Sequence, residues 1–147
     1  MEHNMNLYND AFEMIKLKIK TIEMRLNDEK RKKIKIGDII CFQNIKTKDK
    51  IYAKVINLYN FESFDELYKQ FPKTALGYKD DEDANPSDML EYYSIDQIKK
   101  YGVLGIEISL FESNKSRRIH YTKELLKDFA KENLDKDLQK NIEDILK

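Results

Sequence analysis

The sequence has a single cysteine and two histidines, which limits the sites that it can build. Because Cys41 stands alone, an intrachain disulfide and a cysteine-rich zinc site are both excluded. His3 and His120 do not form a metal-ligand pair by their spacing, so we predict no metal site and assign no cofactor. Cys41 lies in an apolar run, which indicates a buried side chain in a protein of the reducing cytoplasm.

The chain also lacks a long apolar run. No stretch approaches the roughly 20 residues that a membrane-spanning helix needs, and residues 1–6 lack the apolar segment of a signal peptide. We therefore expect a soluble, cytoplasmic protein with no membrane partner. Its 147 residues are enough for one domain with a substantial core.

Net charge is absent overall, since 27 basic side chains balance 27 acidic ones. The distribution is uneven: residues 16–35 hold nine lysines or arginines against three acids, whereas residues 79–96 hold one lysine against seven acids. The first segment favours an anionic partner such as RNA. The second is typical of a solvated, mobile loop.

The most specific pattern is the segment Lys20–Leu26, where a helical pattern gives way to a strand pattern. In an extended chain Thr21, Glu23 and Arg25 share one face. The apolar residues Ile22, Met24 and Leu26 share the other face. Arg25 offers a rigid fork of donors that suits a phosphate or a base edge, Glu23 can hold that fork, and Lys20 adds a mobile cation. We predict a binding cleft here, for which Arg25→Ala would weaken ligand binding with little loss of stability. The alternative interpretation is a solvated strand face with an ordinary Glu–Arg pair.

Hydrophobic periodicity predicts the other elements of the first three quarters of the chain. Capping-box patterns at Ser63 and Ser94 mark the starts of two helices. Helices are predicted over residues 9–17, 63–71, 87–93 and 94–101, and strands over residues 39–42, 50–59 and 103–111. The last strand is apolar on both faces, which indicates a central place in a sheet.

The sequence changes character after Thr122, where large apolar residues recur at helical spacing among balanced charges. These residues are Leu125, Phe129, Leu134, Leu138, Ile142 and Ile145. We predict a domain over residues 1–111 and a helical C-terminal extension over residues 112–147. The extension either packs on the domain or serves as an interaction surface, through which the chain forms a homodimer or binds a partner helix.

Three segments carry a family resemblance. They are Lys20–Leu26, Lys33–Phe42, and Tyr93-Ser94 with Tyr101–Ile106. Together they resemble the ASCH domain family, over about residues 3–111, and the resemblance implies an α+β fold: a small PUA-like β-barrel with surrounding short helices and, here, the helical C-terminal extension. In the family hallmark Gly-x-Lys-x-x-Glu-x-Arg, the last three fixed positions are Lys20, Glu23 and Arg25. Lys18 replaces the glycine, and it either takes an ordinary backbone conformation or crowds the mouth of the cleft.

The resemblance implies a cleft beside the barrel that binds RNA or a nucleotide. In that cleft Arg25 would contact a phosphate or a purine edge, Lys20 would neutralise the backbone, and Glu23 would orient Arg25 or read a base amino group. Lys18 would add charge, and Tyr93 would be one of several aromatic residues available to stack on an unpaired base. The others are Tyr59, Phe61, Tyr92 and Tyr101.

A second implication of the resemblance is hydrolysis, because a subset of small ASCH proteins deacylates N4-acylated cytidines with a Lys, a Thr and a Glu. Lys20 matches the lysine, but Glu23 stands where that threonine belongs, and Thr21 lies one residue after Lys20. Glu107 is a candidate for the distal acid. Lys20, Thr21 and Glu23 are therefore the catalytic candidates for an amidohydrolase. In the ribonuclease alternative, Lys20, Glu23 and Arg25 would act on the phosphodiester.

Overall fold

The computed structural model describes residues 1–111, so the predicted extension over residues 112–147 and its role in a homodimer lie outside the described residues. The strands are β1 (Glu2–Leu7), β2 (Ile22–Leu26), β3 (Ile39–Asn44), β4 (Lys50–Phe61) and β5 (Val103–Leu110). The helices are α1 (Asn9–Lys16), α2 (Phe64–Gln70) and α3 (Ile95–Tyr101), with 3₁₀ turns at Arg31–Lys33 and Pro86–Glu91. Among the helices of residues 1–111, none combines the length and the apolar character that crossing a membrane requires.

The five strands form one sheet in the order β1-β3-β4-β5-β2. β1 runs parallel to β3, and the other neighbours are antiparallel. β5 pairs on both sides, as its two-faced apolar sequence predicts. The edge strands β1 and β2 approach each other where Arg25 Nη2 donates to the Asn6 carbonyl over 2.8 Å. The fold is therefore α+β, as expected. Within residues 1–111 the small β-barrel takes the form of a curled half-barrel, because the two edges of its sheet meet through a side chain and share no ladder.

Two apolar clusters hold the elements in place. The first contains Phe12 and Ile15, the buried residues of α1. The second contains the predicted apolar face of β2 and Leu67 of α2. Because this second cluster fixes one face of β2, the face that carries Glu23 and Arg25 is fixed as well.

Serine caps begin α2 and α3, as predicted. Ser94 and Gln97 form the full reciprocal capping box. At α2, Ser63 Oγ accepts from the Glu66 amide over 3.2 Å, but the Glu66 carboxylate accepts from the amide of Glu62, one residue before the cap. The α2 motif is therefore a serine cap without the reciprocal half.

A left-handed turn at Lys18 ends α1 and sets the direction of β2. The Ile19 and Lys18 amides donate to the carbonyls of Met14 and Ile15, over 3.0 and 2.9 Å, which is the Schellman pattern. Lys18 has a φ of +66°, a conformation that favours glycine. Lys18 thus adopts the backbone conformation that glycine is suited to, which excludes the first of the two alternatives, an ordinary backbone conformation.

We expect Lys18→Gly to raise the free energy of unfolding by about 1 kcal/mol, because glycine takes this conformation without the steric cost that a Cβ brings. Urea denaturation of both chains measures the difference. Lys16→Gly, which places glycine inside the last helical turn, is the matched control and is expected to lose about 0.5–1 kcal/mol. A Lys18→Gly chain that is less stable than wild type contradicts the assignment of the turn.

A charged contact ties β1 to the start of β3. His3 Nε2 lies 2.8 Å from Asp38 Oδ2, and the Lys35 amide donates to the same oxygen over 3.0 Å. The bond with His3, followed by the bond from the Lys35 amide, lowers the pKa of Asp38 from 3.8 to about 2. Ionised Asp38 therefore stabilises the folded chain.

This contact makes stability depend on acidity in a defined direction. Because the folded pKa of Asp38 is below the unfolded one, its contribution is complete above about pH 4 and is lost as the pH falls towards about 2. We expect Asp38→Asn to cost about 1–3 kcal/mol at neutral pH and progressively less below pH 4. Urea titrations across this range test it, and an equal loss at every pH would contradict it.

Candidate functional site

A cleft of about 450 Å³ lies where the two edge strands approach each other. Three parts of the chain line it: the end of β1 with the start of α1, strand β2 with Lys20, and the irregular segment between α2 and α3. We call this space the cleft. Its position at the open side of the half-barrel places β2, with its polar face, next to the start of α1.

The predicted residues Lys20, Glu23 and Arg25 line the cleft together. Glu23 Oε2 accepts a hydrogen bond from Arg25 Nε over 2.9 Å and lies 2.8 Å from Arg25 Nη2 in an ion pair. Glu23 Oε1 lies 3.5 Å from Lys20 Nζ. Lys20 and Glu23 are each only 5% exposed. This face of β2 is therefore a buried ionic cluster, not the solvated face of the alternative interpretation.

Gly77 makes room for the Lys20 side chain. Lys20 Nζ donates to the Leu76 carbonyl over 2.9 Å. A Cβ added to Gly77 would lie 3.0 Å from Lys20 Cδ, and the φ of Gly77 is +103°. Gly77 thus meets two requirements: it adopts a left-handed backbone conformation, and it leaves room for the Lys20 side chain to approach its Cα closely. Its segment has no regular pattern, so the sequence reasoning missed it.

Burial and mutual pairing set the ionisation of the cluster. Burial lowers the pKa of Lys20, and the attraction of Glu23 only partly opposes this. Burial by itself would raise the pKa of Glu23, but Arg25 and then Lys20 outweigh it and hold that pKa below its usual range. Glu23 is therefore a carboxylate at neutral pH, and Lys20 holds its proton less tightly than an exposed lysine does.

Arg25 keeps donors for a ligand. Its Nε and Nη2 are bound to Glu23 and to the Asn6 carbonyl. Nη1, with two N–H groups, has no hydrogen-bond partner within residues 1–111, and Arg25 lines the cleft. The cluster thus presents a fixed pair of donors whose orientation is already set by Glu23.

Tyrosine rings form much of the lining. Tyr93 lines the cleft and stacks on Phe64 with ring centroids 6.0 Å apart, and burial raises its pKa. Tyr8 and Tyr92 also line the cleft, with their centroids 5.9 Å apart, and they are 62% and 50% exposed. Tyr8, which the sequence reasoning did not single out, therefore gives the cleft an accessible aromatic face together with Tyr92.

A chain of hydroxyl groups supports the irregular side of the cleft. The Tyr68 and Tyr78 oxygens lie 2.8 Å apart, and Tyr78 donates to Asp88 Oδ2 over 2.7 Å. Burial raises the pKa of both tyrosines, so both stay protonated at neutral pH. No sequence pattern linked these three residues, because they are joined only by the tertiary fold.

The acidic stretch after Tyr78 is an irregular loop held by specific hydrogen bonds. Lys73 Nζ donates to the carbonyls of Asp80 and Glu82 over 2.7 and 2.6 Å. The Lys79 amide donates to Glu82 Oε1 over 2.7 Å. The loop assignment agrees with the sequence, and these contacts give the segment a defined path beside the cleft. The mobility of the loop stays a prediction.

Other predicted residues do not reach the cleft. Lys18 is exposed and is not part of its lining. Thr21 is not part of the lining either, and Glu107 accepts a hydrogen bond from the Tyr59 hydroxyl over 2.7 Å. Tyr59, Phe61 and Tyr101 pack on the second apolar cluster. Within the described part of the chain, no serine, threonine, cysteine or histidine lines the cleft.

Comparisons with known proteins agree with this fold. The sequence profile of the ASCH domain matches residues 5–112. The chain is similar to the crystal structure of hypothetical protein PH0355, with 33% identity over 76% of this chain and 100% of that one and a TM-score of 0.64. It is similar to the solution NMR structure of protein PF0455 from Pyrococcus furiosus, with 34% identity over 76% of this chain and 99% of that one and a TM-score of 0.58. A search of curated proteins gave no match.

Proposed function

The chain belongs to the ASCH domain family, and we propose that its cleft binds RNA or a nucleotide by taking one base between the tyrosines and the ionic cluster. One observation carries the proposal: Lys20, Glu23 and Arg25 converge on a cleft that still has space for a guest. Mutual pairing holds the three side chains in place before a ligand arrives. Such preorganisation lowers the cost of ordering them on binding.

The chemistry of the cleft suits a base edge. Each N–H group on Arg25 Nη1 can donate to an acceptor on a base, such as a ring nitrogen or a carbonyl oxygen. The accessible rings of Tyr8 and Tyr92 and the inner ring of Tyr93 offer faces for stacking, which is how proteins hold unpaired bases. We therefore assign base recognition to Arg25 and stacking to the tyrosines.

The basic segment from Lys30 to Lys35 offers contacts for the RNA backbone outside the cleft. Lys30, Lys33 and Lys35 are exposed and have no ion pair within residues 1–111, while Lys32 pairs with Glu29 over 3.6 Å. Arg31 and Arg25 both act electrostatically on Tyr93, so the segment begins near the Tyr93 side of the cleft. Exposed lysines of this kind bind phosphates in a salt-dependent manner.

The hydrolase alternatives have less support. Acyl transfer by a threonine needs that hydroxyl beside the lysine in the cleft, and Thr21 is not part of the lining. The hydroxyls of Tyr78 and Tyr93, which do line it, have raised pKa values, which makes them poor nucleophiles at neutral pH. We therefore favour a binding module over an amidohydrolase or a ribonuclease.

Fluorescence anisotropy with a short, labelled, mixed-sequence single-stranded RNA at low salt tests the proposal. We expect saturable binding that weakens as salt rises. A duplex of the same sequence is the control and is expected to bind more weakly, because its bases are stacked and paired and cannot enter the cleft. Undetectable binding to the single strand, or equal binding of both forms, would remove the proposal.

A further inference from the structure

We infer that the cleft admits a nucleobase with its ribose and excludes phosphate, so that the unit bound inside is a nucleoside and any phosphates stay outside. This inference rests on the proposed function and specifies its ligand. It is carried by four exposed carboxylates that line the cleft around the buried ionic cluster. These are Asp10, Glu82, Asp88 and Glu91, and we call them the acidic rim.

The rim charges are not neutralised by the protein. None of the four carboxylates has an ion pair within residues 1–111. Asp88 accepts a hydrogen bond from the Tyr78 hydroxyl, and Glu82 accepts one from the Lys79 amide. These neutral donors orient the two carboxylates but leave their charge in place. The rim therefore keeps the negative charge that its four side chains carry at neutral pH.

The balance of charge around the cleft is negative. Two cations, Lys20 and Arg25, line it against five carboxylates, which are Glu23 and the four of the rim, for a formal net charge of −3. Glu23 already takes up much of the positive charge, since both cations pair with it. A phosphate entering this space meets like charge on the lining itself. Salt, with a Debye length of about 8–10 Å, screens charges within one cleft only partly.

A base and a ribose meet no such barrier. Both are uncharged, and the exocyclic amino groups of bases and the ribose hydroxyls are donors that carboxylates accept. The exposed lysines of the basic segment, Lys30–Lys35, are not part of the cleft lining. These lysines remain available for phosphates that the acidic rim keeps out. The basic segment would therefore bind the phosphates of the ligand, and the cleft would bind its base and ribose.

Binding of the four ribonucleosides and of their 5′-monophosphates, measured by calorimetry at low salt, tests the inference. We expect at least one nucleoside to bind roughly tenfold more tightly than its own monophosphate, with the difference shrinking as salt rises. The double variant E82Q/E91Q is expected to reduce the preference to about threefold or less. Glu62→Gln, an exposed glutamate outside the cleft lining, is the matched control and is expected to leave the preference unchanged.

The outcomes separate the two levels of the proposal. A monophosphate that binds as tightly as its nucleoside, or a preference that survives E82Q/E91Q, overturns the inference and leaves the proposed function standing. Absence of binding by every nucleoside and monophosphate, together with absence of binding to single-stranded RNA, overturns the proposed function itself and this inference with it.

Discussion

Glu23→Gln is expected to lower the free energy of unfolding by about 3–5 kcal/mol, which is typical of breaking a buried ionic cluster from one side. Glu23 is the only carboxylate that pairs with Lys20 and Arg25 in the described part of the chain. Without its charge, two cations that are almost fully removed from water lose their counter-ion. The attraction between Glu23 and the two cations is lost, while the free-energy cost of burying Lys20 and Arg25 remains.

The free energy of unfolding of Glu23→Gln is also expected to depend on pH, in a direction that identifies the unpaired Lys20 as the cause of the loss. Burial lowers the pKa of Lys20, and Glu23 is what opposes this shift, so in Glu23→Gln that pKa falls further. A lysine whose folded pKa lies below its unfolded pKa makes stability rise with pH, because the unfolded chain then binds more protons. The deficit of Glu23→Gln relative to wild type is therefore expected to shrink between neutral pH and about pH 9.

Urea denaturation at several pH values measures both effects. The exposed Glu62→Gln is the control and is expected to change stability by less than about 0.5 kcal/mol at every pH. A loss under about 1 kcal/mol for Glu23→Gln, without dependence on pH, would show that the cluster is hydrated and only weakly coupled. The proposal that mutual pairing holds Lys20, Glu23 and Arg25 in place before a ligand binds would then be wrong.

Arg25→Lys is expected to weaken binding of single-stranded RNA, or of the best nucleoside, by about 10- to 100-fold, the range for losing a hydrogen bond from a charged donor to the base. Lysine keeps a positive charge for Glu23, so stability is expected to fall by only about 1 kcal/mol, for the lost hydrogen bond to the Asn6 carbonyl. The reason is geometric, since an ammonium group cannot hold Glu23, Asn6 and a base edge at the same time.

Anisotropy and calorimetry on Arg25→Lys, with urea denaturation in parallel, separate affinity from stability. Arg31→Lys, which keeps the charge of the basic segment and does not line the cleft, is the matched control and is expected to change affinity by less than about threefold. An unchanged affinity in Arg25→Lys, or equal losses in the two variants, would contradict a specific contact between the Arg25 guanidinium and the base.

The contacts of Arg25 argue against the expectation that Arg25→Ala causes little loss of stability. Arg25 joins the two sheet edges through Asn6 and pairs with Glu23, so its removal both breaks this contact between the edges and unbalances the charge of the cluster. Because side chains on a strand alternate between its two faces, the sequence predicted which side chains of β2 share a face. The sequence contained no sign that the far edge of the sheet would supply a partner for one of them.

The elements that the sequence predicted best have strong local signals. Ser94 and Gln97 sit at capping-box spacing, and β5 is apolar on both faces, so local chemistry alone specifies a helix start and an interior strand. The strand β1, in contrast, reads Glu-His-Asn-Met-Asn-Leu and was not predicted. As an edge strand it buries only Met5 and Leu7, and its pairing with β3 supplies the stability that its sequence does not indicate.

The same distinction applies to the candidate site. Lys20, Glu23 and Arg25 stand close together in the sequence, so their convergence was predictable. Gly77 and Tyr78 come from a segment without periodicity, and they reach the cleft only through contacts with Lys20, Tyr68 and Asp88. Residues placed by such long-range contacts carry no local pattern from which their role can be read.

Amide chemical-shift mapping of the ¹⁵N-labelled chain, titrated with the single-stranded RNA, tests the central claim most directly. The account predicts that the largest shifts occur at Glu23–Arg25, at Gly77 and Tyr78, and at Tyr92 and Tyr93, with smaller shifts along Lys30–Lys35. Large shifts confined to Lys30–Lys35, with the amides around the cleft unmoved, would contradict it, because the RNA would then bind to the basic surface and leave the cleft empty.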